Sequence, residues 1–255
     1  MCSLRKPVIS RSIVYSAKFS GGGTQRLIDA GDFEKDTPVS KEIYQCSGCG
    51  LVQFADAPVS YYRDQTRAGE RSKSLIELRK IQYRHFIETY HLTGKKIIEI
   101  GAGKGGFLRT LKDMSEYEVQ EYGLENNEAF VQYAREQEHV NMIQGYLRDE
   151  HMRIEGAPFD AFLSFAYFQR LDEPNVVLRG VFNNLSDDGV GFVQVPALEH
   201  LLRGCGFYDI VNDHISYFDQ NTLRFWLERN GFEIEEIGET AAVYNYAIVR
   251  KRKKI

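Results

Sequence analysis

The sequence predicts an α/β protein: a mostly parallel, doubly wound sheet preceded by a small cysteine-containing module. Three observations carry that expectation. From Lys96 onward, short apolar runs alternate with stretches of helical periodicity, the pattern of repeated βαβ units. The first of these runs passes straight into a glycine-rich turn at Gly101, Gly103, Gly105 and Gly106. Before them, residues 1–60 show no sustained periodicity, carry the Gly21-Gly22-Gly23 break, and hold three of the four cysteines.

Taken in order, residues 1–60 read as a loop-rich module and residues 61–94 as a helical linker or lid. Residues 95–255 read as the main domain. Within the linker, Leu75, Leu78, Ile81, Phe86 and Ile87 recur at helical spacing, which predicts an amphipathic helix over 71–90, ended by Thr93-Gly94. The main domain then predicts a strand over 96–100, a helix over 105–112, and a strand over 119–124. A helix over 128–137, a short strand at 142–143 and a strong strand over 160–165 follow. Asp172-Glu173-Pro174 offers an N-cap, an acidic first turn and an early proline for the next helix. A strand over 189–195 stops at Pro196, and a less regular stretch runs over 197–218. A helix over 221–229 ends at Asn230-Gly231, where glycine can adopt the left-handed conformation. Strands over 232–237 and 243–249 close the sheet.

Composition narrows the function classes. The 255 residues are 43% hydrophobic and 27% charged, which excludes a disordered or collagen-like chain. Lys and Arg number 32 against 36 Asp and Glu, a net charge of -4, so no global positive field is present to hold a nucleic acid. The longest nearly apolar stretch, residues 161–168 with Ser164 inside it, falls short of the roughly 18 residues of a membrane span. No apolar run of signal-peptide length follows the first residues, and a cytoplasmic protein is expected. The cysteines, Cys2, Cys46, Cys49 and Cys205, are too sparse for a disulfide scaffold and suit reduced thiols or metal ligands. The basic run at 250–254 reads as a solvated tail.

The glycine turn admits three readings. A nucleoside-triphosphate loop needs Ser or Thr after Gly-Lys, but Gly105 follows Lys104, so the magnesium-holding hydroxyl is missing. A dinucleotide fold is formally allowed, because Gly101, Gly103 and Gly106 fit G-x-G-x-x-G and Glu125 ends the next strand. The third reading is S-adenosylmethionine. Glu99, Gly101, Gly103 and Gly105 match every specified position of an acidic residue, any residue, then G-x-G-x-G. That pattern resembles motif I of the class I, Rossmann-like methyltransferases.

The resemblance implies roles for particular residues. Glu99 would organise the methionine end of the ligand, Gly101, Ala102, Gly103 and Gly105 would admit it, and Glu125 would grip the ribose hydroxyls. Gly145-Tyr146 stands where the adenine is contacted, and Phe165 and Tyr167 stand at the mouth of the site. Arg67, in the lid segment, is the candidate for the methionine carboxylate.

Cys46-Ser47-Gly48-Cys49 is half of a zinc-ribbon signature. Together with the glycine turn and the segment Asn212-Asp213-His214-Ile215-Ser216-Tyr217-Phe218, it resembles the sugar C-methyltransferases. Members of that family join an N-terminal zinc module to a class I methyltransferase domain and act on nucleotide-linked deoxysugars. This implies S-adenosylmethionine as methyl donor, a nucleotide-sugar acceptor, and zinc on Cys2, Cys46 and Cys49. The chain departs from the family in three places. Arg5 stands where a second C-x-x-C would have its partner cysteine, which leaves the fourth zinc ligand unidentified. Val211-Asn212 replace a Tyr-His pair, and Gln169-Arg170 stand where Glu-His is expected.

His214 matches the family's candidate base, with Asp213 and Tyr217 beside it as candidate catalytic residues. A histidine titrating near neutrality can take a proton from carbon, hydroxyl or amine, so carbon, oxygen and nitrogen methylation all remain open. Two other classes of function stay in view: a non-catalytic binding module on the same fold, and an NAD-dependent oxidoreductase.

Overall fold

The computed structural model describes residues 11–19, 39–54, 72–204, 210 and 213–253, with side chains from residue 42 onward. In chain order, β1 (Arg11–Phe19), β2 (Val39–Cys46) and β3 (Val52–Phe54) are followed by α1 (Lys73–Thr89). Then come β4 (Lys96–Ile100), α2 (Gly106–Lys112), β5 (Gln120–Glu125), α3 (Glu128–Tyr133), β6 (Met142–Gln144) and β7 (Phe159–Phe165). The chain continues through α4 (Pro174–Asn184), β8 (Leu185–Pro196), α5 (Leu198–Gly204) and β9 (Ser216–Tyr217). It ends with α6 (Gln220–Arg229), β10 (Phe232–Thr240) and β11 (Tyr244–Lys251).

These strands form two sheets. The larger has the order β10-β11-β8-β7-β4-β5-β6. Its pairs β4–β5, β4–β7, β5–β6 and β7–β8 are parallel, and β11 alone runs against its neighbours. The smaller has the order β1-β2-β3-β9, antiparallel throughout. The expected loop-rich start is therefore corrected in part: β1 is a nine-residue strand paired along its length with β2. Ile13, Tyr15, Ala17 and Phe19 do alternate with Ser12, Ser16 and Lys18, so the period-two signal was present and was outweighed by the glycine break that follows it.

Period-two alternation distributes the large sheet's side chains between two cores. Ile98, Ile100, Phe162, Val193 and Val195 face one side, where Val177, Leu178 and Val181 of α4 and Leu223, Trp226 and Leu227 of α6 cover them. Ile97, Ala161, Leu163, Phe165 and Phe192 face the other, under Tyr83, Phe86 and Ile87 of α1 and Phe107 and Leu111 of α2. Each fully buried phenylalanine contributes roughly 1.5–3 kcal/mol through loss of water contact alone.

Helix ends follow from side-chain chemistry. Ser72 Oγ accepts the Leu75 N–H at the start of α1 (3.3 Å). Asp219 and Thr222 exchange bonds at the start of α6, and Gly231 ends it at φ 96°. At α4 the expectation is corrected by one position: the N-cap is Glu173, which makes no capping bond, while Asp172 Oδ1 accepts the Glu173 N–H (3.1 Å).

The buried stripe of α1 also differs from expectation. Ile81 is 61% exposed, whereas Arg79 is 2% exposed and lies with Tyr83, Phe86 and Ile87 on the buried side. The arginine is accommodated because its guanidinium stacks on the rings of Phe165 (3.4 Å) and Phe107 (4.4 Å). It also donates to Gln82 Oε1 (2.7 Å) and Gln194 Oε1 (3.1 Å). No helix among the described residues is long and apolar enough to cross a membrane.

Candidate functional site

β4 is the strand at which the order of the sheet reverses. The chain moves from β4 to β5 and β6 on one side, then returns to β7 and β8 on the other. Loops leaving β4 and β7 therefore diverge and open a crevice at the carboxyl ends of the strands, where ligands of such sheets bind.

The loop after β4 is built by its glycines. Gly101, Gly103 and Gly105 all have positive φ (75°, 55° and 77°), a region that side chains with Cβ disfavour. At Gly101 a second constraint applies: a Cβ would lie 2.3 Å from Cδ2 of Tyr167, so the tyrosine ring rests directly on the glycine. Ala102 is buried and donates its N–H to Leu124 O (3.2 Å), which ties the loop to the end of β5.

Two carboxylates flank this loop. Glu99, 2% exposed, sits on β4 between Gly123 of β5 and Leu163 of β7. By alternation it shares the face of Ile97, toward α1 and α2. Glu125 ends β5; its Oε2 accepts the Gly103 N–H (2.9 Å) and its Oε1 the Asn127 N–H (2.9 Å). The carboxylate thus ties the glycine loop to the start of α3. Gly145 donates its N–H to the Glu125 carbonyl (2.9 Å), which brings the loop after β6 beside the same residue; Tyr146 there is half-buried against the main core.

On the other side of the crevice, Ala166 adopts a left-handed conformation (φ 47°) and donates to Gln194 O (2.7 Å). That backbone turn throws Tyr167 over Gly101. Phe165 behaves differently from the expectation that put it at the mouth of the site. Its ring is fully buried among Tyr83, Phe107 and Phe192, beneath the Arg79 guanidinium, so it belongs to the core.

The segment carrying His214 is assembled from distant parts of the chain. β9 pairs with β3 (Val52 with Tyr217, Gln53 with Ser216), and the Phe54 N–H donates to Ile215 O (2.9 Å). From the other side the Ile215 N–H donates to Gln169 O (2.7 Å). His214 is 7% exposed, and its Nε2 lies 3.4 Å from the Gln169 amide nitrogen.

Asp213, expected beside the base, is fully buried and pairs with Arg170 (3.1 Å), an arginine that is itself buried. Its charge is thus committed to Arg170. Tyr217 is buried too, edge-on to Phe54 (5.6 Å between centroids) and 6.5 Å from the His214 ring. Neither departure was legible as a role: Gln169 and Arg170 stand out in the sequence only as mismatches to a motif, and Arg79 only as a charge within an apolar helical stripe.

Cys46 and Cys49 flank the tight turn between β2 and β3, closed by the Gly50 N–H to Cys46 O bond (2.8 Å), and both side chains pack partly buried against the main core. Among the described residues, no group of three or more His, Cys, Asp or Glu side chains is arranged to hold a metal. Cys46 and Cys49 would supply two of the four ligands of a tetrahedral zinc site. Cys2 and Arg67 lie outside the described residues.

Comparison with known proteins bears on this geometry. A methyltransferase-domain family model matches residues 73–237. Over 82 residues the chain is 35% identical to C-methyltransferase NovU of Streptomyces niveus; the match spans 32% of this chain and 19% of that protein. A SAM-dependent methyltransferase from Aquifex aeolicus superposes with a TM-score of 0.55 at 15% identity, covering 71% of this chain and 98% of its own. The magnesium protoporphyrin IX methyltransferase of Synechocystis, solved with bound SAH, gives 0.55 at 14% identity, covering 77% and 90%. The family match runs from α1 into β10 and so includes the loops on both sides of the crevice beside β4. The chain belongs to the methyltransferase-domain family, with the fold of the class I S-adenosylmethionine-dependent methyltransferases.

Proposed function

We propose that this methyltransferase transfers the methyl group of S-adenosylmethionine to a polar small molecule. The acceptor is read as a nucleotide-linked sugar and the methylated atom as carbon. The observation that carries the cofactor half is Glu125, a carboxylate at the end of β5 whose two oxygens hold the glycine loop at Gly103 and the start of α3 at Asn127, where a ribose diol would lie. Glu99, at the end of β4 on the side of α1 and α2, suits the ammonium end of the ligand. S-adenosylmethionine supplies an electrophilic methyl on a sulfonium leaving group. The protein's part is to hold that methyl in line with the acceptor and to exclude water, so proximity and orientation supply most of the rate.

For the acceptor half, support comes from His214 and from the similarity to C-methyltransferase NovU of Streptomyces niveus. His214 takes the proton that the acceptor atom must lose. Zinc on Cys2, Cys46 and Cys49 would be structural in this scheme, with Cys46 and Cys49 brought together by the turn between β2 and β3.

The cofactor is tested by thermal shift with S-adenosylmethionine, S-adenosylhomocysteine and NAD side by side, since a ligand that binds only the native state raises its stability. A shift with both adenosyl ligands and none with NAD is expected; the reverse pattern overturns the reading. For the acceptor, His214→Ala should leave S-adenosylhomocysteine affinity unchanged and lower turnover on nucleotide-linked keto sugars by roughly 10²–10⁴-fold. Undiminished turnover would remove His214 from the chemistry.

A further inference from the structure

We propose that Gln169 is a positioning residue for His214: its amide holds the imidazole as the neutral tautomer with the proton on Nδ1 and the lone pair on Nε2. This deepens the reading of His214 as the base and rests on it. The argument begins with a fixed amide orientation. Gln169 Nε2 lies 2.7 Å from the Ala166 carbonyl oxygen, which can only accept, so the atom facing it is the amide nitrogen. The second hydrogen of the same nitrogen is the one directed at His214 Nε2, 3.4 Å away. A ring nitrogen that accepts carries no proton, and in a neutral imidazole the proton is then on Nδ1.

The rest of the site keeps this arrangement in place. Gln169 is 1% exposed, and its carbonyl accepts the Ile215 N–H (2.7 Å), so backbone and side chain of one residue grip the His214 segment at two points. Ala166, which fixes the amide, is the left-handed residue that also sets Tyr167 over Gly101. Gln169 therefore joins the cofactor loop's cover to the base.

Basicity follows from the same geometry. Among the described residues, the titratable and charged groups around His214 are Asp213 next to it, Arg170 of the turn after β7, and Tyr217 of β9. Asp213 and Arg170 offset each other as an ion pair at 3.1 Å, and the Tyr217 ring lies 6.5 Å away by centroids. Gln169 sets an uncharged donor against the Nε2 lone pair. It stabilises the neutral imidazole, because a protonated Nε2 would meet an N–H instead of an acceptor. Gln169 Oε1, buried without a hydrogen-bond partner among the described residues, is the atom that could accept from a protonated ring. Turning the amide to present it would break the bond to Ala166. His214 is thereby held ready to receive a proton at neutral pH.

The test needs no acceptor. Long-range proton–nitrogen correlation spectra of the full chain, with isotope-labelled histidine, report tautomer and titration together; His214 is assigned by the signals lost in His214→Gln. The native protein should show the Nδ1–H tautomer and a midpoint below the ordinary histidine value of about 6.5. Gln169→Glu places a carboxylate at the same ring nitrogen and should raise the midpoint by about one pH unit or more. Gln169→Leu should release the tautomer preference. S-adenosylhomocysteine thermal shift checks that each variant is folded, and the native spectrum decides if neither variant is. An Nε2–H tautomer in the native protein, or an unmoved midpoint in folded Gln169→Glu, overturns the proposal. Turnover of His214→Gln separately decides whether the histidine is the base: undiminished turnover sinks that reading whatever the spectra show.

Discussion

The loop of Gly101, Gly103 and Gly105 and the segment of His214 lie at the same end of the large sheet but are held in different ways. The glycine loop is secured over short sequence distances: Ala102 N–H to Leu124 O, Gly103 N–H to Glu125, and positive φ angles that glycine supplies without strain. The His214 segment is secured by partners from β3 and from the turn after β7, and by the Arg170–Asp213 pair buried between them. One region is built from neighbours in the chain and the other from strangers. The first should fail by losing its ligand, and the second by losing its fold.

The largest expected effect breaks the second region. Arg170→Met leaves the fully buried Asp213 carboxylate without its cation and should cost about 3–5 kcal/mol in denaturant unfolding. The double variant Arg170→Met with Asp213→Leu should recover most of that loss, since two apolar side chains replace two desolvated charges. If the single variant is as stable as the parent, the pair is not what holds this segment.

Next comes the cofactor loop. Gly101→Ala combines a disfavoured positive φ with a Cβ 2.3 Å from the Tyr167 ring. It should weaken S-adenosylhomocysteine binding roughly hundredfold, about 2.7 kcal/mol, by titration calorimetry. Adding Tyr167→Ala relieves the clash but not the backbone, so affinity should return only in part; full recovery would mean that the ring alone sets the requirement for glycine.

Glu125→Gln is milder. One carboxylate oxygen becomes an amide nitrogen that must face the N–H of either Gly103 or Asn127, and cofactor affinity should fall roughly tenfold, about 1.4 kcal/mol. The smallest effect is at Ala166, whose left-handed backbone costs roughly 1–2 kcal/mol in an alanine. Ala166→Gly removes that strain but adds unfolded-state entropy, so unfolding should change by less than about 1 kcal/mol, in the stabilising direction. A clear loss of stability would show that the alanine methyl group packs usefully.

How far the sequence could be read tracks the same division. Strands β4 to β8 and their helices were legible because apolar alternation and helical spacing are local signals, and the Glu99 to Gly105 spacing marked the loop for the same reason. α5 and β9 were not, since the stretch over 197–218 has no regular period and β9 is two residues long, a strand only because β3 is there to pair with it. The turn of α1 that buries Arg79 and exposes Ile81 was equally hidden. Apolar spacing alone points to Ile81, and only the rings of Phe107 and Phe165 make a buried guanidinium tolerable.

By itself, then, the sequence determined the alternation of strands and helices, the glycine turn, and the two carboxylates at the ends of β4 and β5, because each depends on residues close together in the chain. Tertiary structure alone decided that Asp213 serves Arg170, that Phe165 is core, and that Gln169 faces His214. Those outcomes depend on which side chains meet across strands and turns far apart in sequence, where burial makes an uncompensated charge or donor too costly to leave alone.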